Sequence, residues 1–133
     1  MAPTAGKRGS VLVEASLASI PFFALLLGVL AAGYLVFTYN SVAFMAQQGV
    51  RWASVHGSAS SQVATESTVQ NYVRTQAAGL TSGNIVVVTT WPTNKNPGST
   101  VSVNVSYPAT PLLAWGLPAS LTVQCTSTAA IIR

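Results

Sequence analysis

Few side chains in this 133-residue chain could do chemistry: two Glu, one His, one Cys and no Asp. General acid–base work would have to join Glu14 to Glu66, which lie in regions of different character. His56 and Cys125 could be written as a base and a nucleophile, yet no third group stands ready to orient the imidazole. One Cys and one His cannot close a tetrahedral metal site, and two scattered carboxylates cannot build a calcium cage. No glycine-rich phosphate loop follows a strand-like run. The expectation is a non-enzyme with no metal and no cofactor. Cys125 has no intrachain partner and reads as a small buried apolar side chain, with an intermolecular disulfide or a reactive thiol as the alternatives.

That leaves Glu14. It closes the run Lys7-Arg8-Gly9-Ser10-Val11-Leu12-Val13-Glu14, five positions beyond Gly9, and no charge follows until Arg51. A carboxylate near hydrocarbon costs about 3 kcal/mol and is by default a functional residue. The bland alternative is a carboxylate that snorkels at the interface without a partner. Ile20 to Phe37 is an 18-residue apolar stretch, IPFFALLLGVLAAGYLVF. At helical rise it covers about 27 Å, close to the hydrocarbon thickness of a bilayer. Lys7 and Arg8 precede the span, so the positive-inside rule puts the N-terminus in the cytoplasm and residues beyond about 40 outside.

Composition agrees. Only 6% of residues are charged, against roughly 25% in soluble domains, while 50% are hydrophobic. Such a surface calls for a membrane, an assembly, or both. The net charge of +4 comes from scattered basic residues with no stripe interleaved with aromatics, so nucleic acid is not an expected partner.

Within the span, Ala24, Gly28 and Ala32 recur at four-residue steps, a series that lets helix backbones approach closely. Pro21 removes a backbone donor and deprives the Leu17 carbonyl of its usual partner, favouring a bend or local unwinding. Beyond the membrane the helix is expected to continue. Val42, Ala46, Val50 and Ala53 keep one face apolar, while Gln47, Arg51 and Ser54 line another. His56 favours the helix dipole, and Gly57 suits the left-handed position that ends a helix.

Residues 57–133 read as a small α+β unit. After the connector HGSASSQ, Val63, Val69, Tyr72, Val73 and Leu80 approximate a helical stripe ending near Gly79. Glu66 lies early in it and Arg74 late, as solvated charges that agree with the dipole. Three β-prone runs follow: Ile85–Trp91, Thr100–Tyr107, and a third through Leu121, Val123 and Cys125 toward Ile132. PTNKNPGS has the composition of a turn between the first two. The expected architecture is a three-stranded antiparallel sheet with a helix on its apolar face. Pro108 to Pro118, PATPLLAWGLP, is an apolar loop for the small core, a neighbouring subunit or the membrane surface.

The basic, glycine-ended leader with Glu at the fifth position beyond it resembles the processing site of type IV prepilins. Residues 8–54 resemble the TadE-like family of minor pilins, or pseudopilins, of tight-adherence (Flp, type IVb) pilus systems. Arg8-Gly9, Val13-Glu14-Ala15-Ser16-Leu17, Pro21 and Ala46-Gln47-Gln48-Gly49-Val50-Arg51-Trp52-Ala53 carry the likeness. It implies a pilin-like fold with a leader over 1–9, a transmembrane and assembly helix over 10–56, and an exported domain over 57–133. The cut would fall between Gly9 and Ser10, and the new α-ammonium could pair with Glu14 of the same or a neighbouring subunit. The implied partners are other pilins and pseudopilins, the prepilin peptidase, the inner-membrane pilus assembly machinery and the lipid bilayer. The implied location is the inner membrane or an extracellular pilus, with a part in adhesion. Glu14, Pro21, Ala24, Gly28 and Ala32 would form the assembly set.

Two other readings stay open on the residues alone. In one, Ile20 to Leu30 is the core of an ordinary signal peptide, Leu30-Ala31-Ala32 is the cleavage site, and a secreted binding domain begins near Gly33. In the other, the span is an uncleaved anchor for an adhesive domain.

Overall fold

The computed structural model describes residues 5–110 and 120–132. Helix α1 runs unbroken over Ala5–Val55, 51 residues, or about 75 Å at helical rise. Helix α2 spans Glu66–Thr75, and a single 3-10 turn, Ser82–Asn84, precedes the sheet. Strands β1 (Val86–Thr90), β2 (Thr100–Ala109) and β3 (Leu121–Ala130) form an antiparallel meander in the order β1-β2-β3. The expected α+β architecture is the one observed.

The C-terminal half of α1 is itself the main cover of the sheet. Val42, Met45, Ala46, Val50 and Ala53 are buried, and they join Val101, Val103, Val105 and Tyr107 of β2 in one core. The alternation expected for β2 is borne out, because its odd-numbered positions from Val101 to Ala109 all face inward. Register places Val105 between Val87 and Cys125, so one row of side chains crosses the sheet. On β3 the inward positions are Val123, Cys125, Ser127 and Ala129. Their small volumes let α1 lie close to that edge. Cys125 is half-buried against the core as a free thiol.

Close approach is most acute at Gly49. A Cβ there would fall 2.7 Å from Val73 Cγ2 and 3.2 Å from Val103 Cγ1. This glycine admits α2 and β2 to the same side of α1. Val69 and Val73 of α2 are fully buried, and Tyr72 stacks on Trp52 of α1 at 5.6 Å.

Several local expectations need correction. Ser54 does not line the outer face with Gln47 and Arg51. It is 95% buried: its hydroxyl donates to the Arg51 carbonyl, and its own carbonyl accepts from the Ile132 amide at 2.8 Å. Gly57 does not take the left-handed conformation, which belongs among the described residues to Gly79 and Gly98. The helix is instead ended by partners for its last carbonyls. The His56 ring donates through Nδ1 to the Trp52 carbonyl at 2.8 Å, and the Ile132 amide reaches Ser54.

Helix α2 is shorter than its apolar stripe. Thr65 caps it, the Thr68 amide donating to the Thr65 hydroxyl while the Thr65 amide donates to the Thr68 hydroxyl. Val63 precedes this box and is exposed, and Leu80 follows the C-cap at Gln76. Arg74 is not simply solvated, since its guanidinium donates to the Ile85 carbonyl and ties α2 to the start of β1. Ile85 and Trp91 flank β1 rather than lying in it, and Leu121 is exposed on β3. Pro108 extends β2 by standing past the end of β1, where the strand has a neighbour on one side only. Of the apolar loop, Leu112, Leu113, Trp115 and Leu117 lie outside the described residues.

Candidate assembly interface

Helix α1 changes character along its length. From Gly9 to Leu30 no residue is buried, and Leu17 and Leu25 keep about 70% of their surface exposed. From Thr38 onward one side is sealed against the sheet. The exposed half therefore presents a long apolar surface for lipid or other helices to cover. Two of its serine hydroxyls are satisfied within the helix. Ser16 Oγ donates to the Leu12 carbonyl and Ser19 Oγ to the Ser16 carbonyl, each at 2.8 Å.

Because the helix is unbroken, its periodicity can be applied to the residues singled out above. At about 100° per residue, Ser10, Glu14, Pro21, Ala24, Gly28 and Ala32 all fall within an arc of about 80°. They make one stripe. Glu14 is exposed on it, and beside Gly28 an added Cβ would meet nothing within 4 Å. Gly9 is equally open. The helix continues through Pro21 without a break, so the local unwinding expected there does not occur. The stripe can do two physical things: seat a second helix backbone closely at the small residues, and offer one carboxylate at a fixed axial height.

His56 and Cys125 are far apart. Ile132 abuts the end of α1 near His56, and Cys125 precedes it by seven residues, about 23 Å along an extended chain. No group of three or more His, Cys, Asp or Glu suited to a metal occurs among the described residues.

Lys95 has a role that its place in a turn did not reveal. Its Nζ sits 4.2 Å from the Trp91 ring centroid and donates to the Ala64 carbonyl at 2.7 Å. The β1–β2 turn is thereby clasped to the connector between the helices, with Ser58 adding bonds to Lys95 and Asn96. A lone Lys four residues after a Trp is the only signal in the chain, and it is weak. The stack of His56 on Trp52, 4.1 Å between centroids, was equally hidden, although i to i+4 spacing on a helix permits it.

No curated protein and no solved structure matches the chain. A family model does. Residues 9–51, from Gly9 to Arg51 and about a third of the chain, match the model of TadE-like proteins.

Proposed function

We propose that the chain is a minor pilin or pseudopilin of a tight-adherence pilus, working by assembly rather than catalysis. The observation that carries this reading is the uncovered half of α1, where one carboxylate stands five residues beyond Gly9 on the same stripe as Ala24, Gly28 and Ala32. The family match begins at that glycine and runs continuously across Ala32-Gly33, which favours one helix over a signal peptide cut at its middle.

Cleavage after Gly9 leaves an α-ammonium on Ser10, one helical turn from Glu14 and on the same stripe. While the subunit is in the bilayer, the two charges compensate each other or meet head groups. When subunits leave the bilayer and pack side by side, the carboxylate of one meets the ammonium of the next. Removing one partner of a pair out of water costs about 3–5 kcal/mol, because the other charge is left uncompensated. A mismatched axial offset suffers the same loss, so the pair selects one stagger between neighbours. Head-to-tail contacts of this kind build open helical assemblies rather than closed rings. The polar outer positions of β2 and β3, Ser102, Asn104, Ser106, Thr122, Gln124, Thr126 and Thr128, suit a component presented to water, while β1 adds the exposed Val86 and Val88. The N-terminus is cytoplasmic before extrusion.

The test is N-terminal sequencing of membrane-extracted protein, paired with Glu14→Ala. The reading requires a mature chain beginning at Ser10. It also requires that the substituted chain insert in the membrane and be cleaved normally, yet be absent from sheared pili and leave piliation lost. A chain starting near Gly33, or an intact leader in cells with the peptidase, ends the proposal.

A further inference from the structure

The cleft lined by Phe37, Asn40, Ser41, Phe44, Gln76 and Ala78 has a volume of about 250 Å³ and is used by nothing described above. One wall is α1; the other is the connection between α2 and β1. Its height along the helix is informative. Phe37 is the last residue of the 18-residue apolar stretch, so with that stretch as the span the lower end of the cleft lies at the edge of the hydrocarbon, level with the upper acyl chain. Phe44 lies seven residues farther on, about 10 Å, which carries the cleft through the head-group layer. With that placement, phospholipid is what surrounds the helix at this depth.

The chemistry of the lining matches. The two Phe rings are each about half exposed, offering apolar surface at the lower and upper ends. Asn40, Ser41 and Gln76 add amide and hydroxyl groups that can donate to ester and phosphate oxygens. Among the described residues no charged one lines the cleft, and none occurs in the sequence from Gln76 to Thr90. Arg74, two residues before Gln76, donates through its guanidinium to the Ile85 carbonyl. The volume is below that of sites for drug-sized molecules, so it suits a segment of a lipid rather than a whole soluble ligand. The connection itself is pressed onto the membrane end of the domain. Gly79, at φ +75°, lies over Phe37, and a Cβ on it would come 3.0 Å from the ring.

We propose that this cleft holds the glycerol-ester region and upper acyl chain of a phospholipid from the leaflet on the domain's side, and so seats the folded unit on the bilayer. Recognition is by depth, aromatic surface and neutral hydrogen bonding, and does not require an anionic head group. The inference needs only the membrane span and is independent of the pilus reading.

The experiment uses the full chain in phosphatidylcholine nanodiscs loaded with one copy each. In a Cys125→Ser background, an environment-sensitive fluorophore is placed on Ala78→Cys, or on Asn94→Cys in the distant β1–β2 turn, and quenched by lipids spin-labelled high on the acyl chain. Quenching at position 78 should exceed that at position 94 by several-fold and be insensitive to salt. Native mass spectrometry of detergent-extracted protein should show one retained phospholipid, lost in Ser41→Trp and in Ala78→Trp, which fill the cleft from opposite walls. Equal quenching at the two positions overturns the proposal. So does quenching that appears only in discs with two copies, which would assign the cleft to a neighbouring chain. Retention of lipid by both Trp variants would overturn it as well.

Discussion

Gly49→Ala tests whether the close packing of α1, α2 and β2 is what holds the folded unit together. The added Cβ would stand 2.7 Å from Val73 Cγ2, whereas unstrained carbon contacts lie at about 3.5–4.0 Å. Relief needs a movement of about 1 Å. Val73 is fully buried, and Val103 at 3.2 Å blocks retreat of the helix toward the sheet. Overpacking of a tight core costs about 1–3 kcal/mol. Against this, Ala is the better helix former by about 1 kcal/mol. The packing cost wins: the net expectation is a loss of about 1 kcal/mol, or a fall in Tm of about 4–8 °C for a unit of this size. The decisive comparison is the same change in a Val73→Ala background, where the main obstacle is gone. There Gly49→Ala should be neutral or stabilising, giving a coupling of about 1–2 kcal/mol between the two sites. Unfolding of the full chain in detergent, followed by tryptophan fluorescence and far-UV circular dichroism, reads all four variants. If Gly49→Ala raised the stability of the otherwise native chain by the full propensity gain, the packing argument would be refuted.

Two further substitutions probe the local devices. Thr65→Ala removes the hydroxyl that accepts the Thr68 amide and should cost about 1 kcal/mol, seen as a lower unfolding midpoint with little change in the assembly helix. Lys95→Met keeps the stem but removes the donor to Ala64 and the cation over Trp91. It should cost about 1–2 kcal/mol and speed proteolysis within the connector 57–64, whereas Lys95→Arg should recover part of the loss. An unchanged proteolytic pattern in Lys95→Met would mean that the clasp contributes nothing.

The sequence alone determined the elements whose reasons are local or periodic. The long uncharged run read as a helix because, in an apolar medium, a single segment satisfies its backbone only as helix, and a helix is what forms. Val101, Val103, Val105 and Tyr107 declared a half-buried strand by alternation, and Val42, Ala46, Val50 and Ala53 declared the buried stripe of the helix. That Glu14, Pro21, Ala24, Gly28 and Ala32 share one stripe follows from helical spacing, while their part in assembly belongs to the proposal above. Tertiary structure decided what those faces meet. Nothing in the pattern of α1 said that its own second half, rather than a separate helix, would cover the sheet. Nor could periodicity show that Gly49 is a point of contact, that Ser54 is sealed by the tail of β3, or that Lys95 reaches back to Ala64. Such facts depend on residues far apart in the chain arriving at one place, and single-residue chemistry carries no record of that distance. The same holds for the cleft below α2. Its phenylalanines read as membrane residues, and only the folded connection laid against them makes a site.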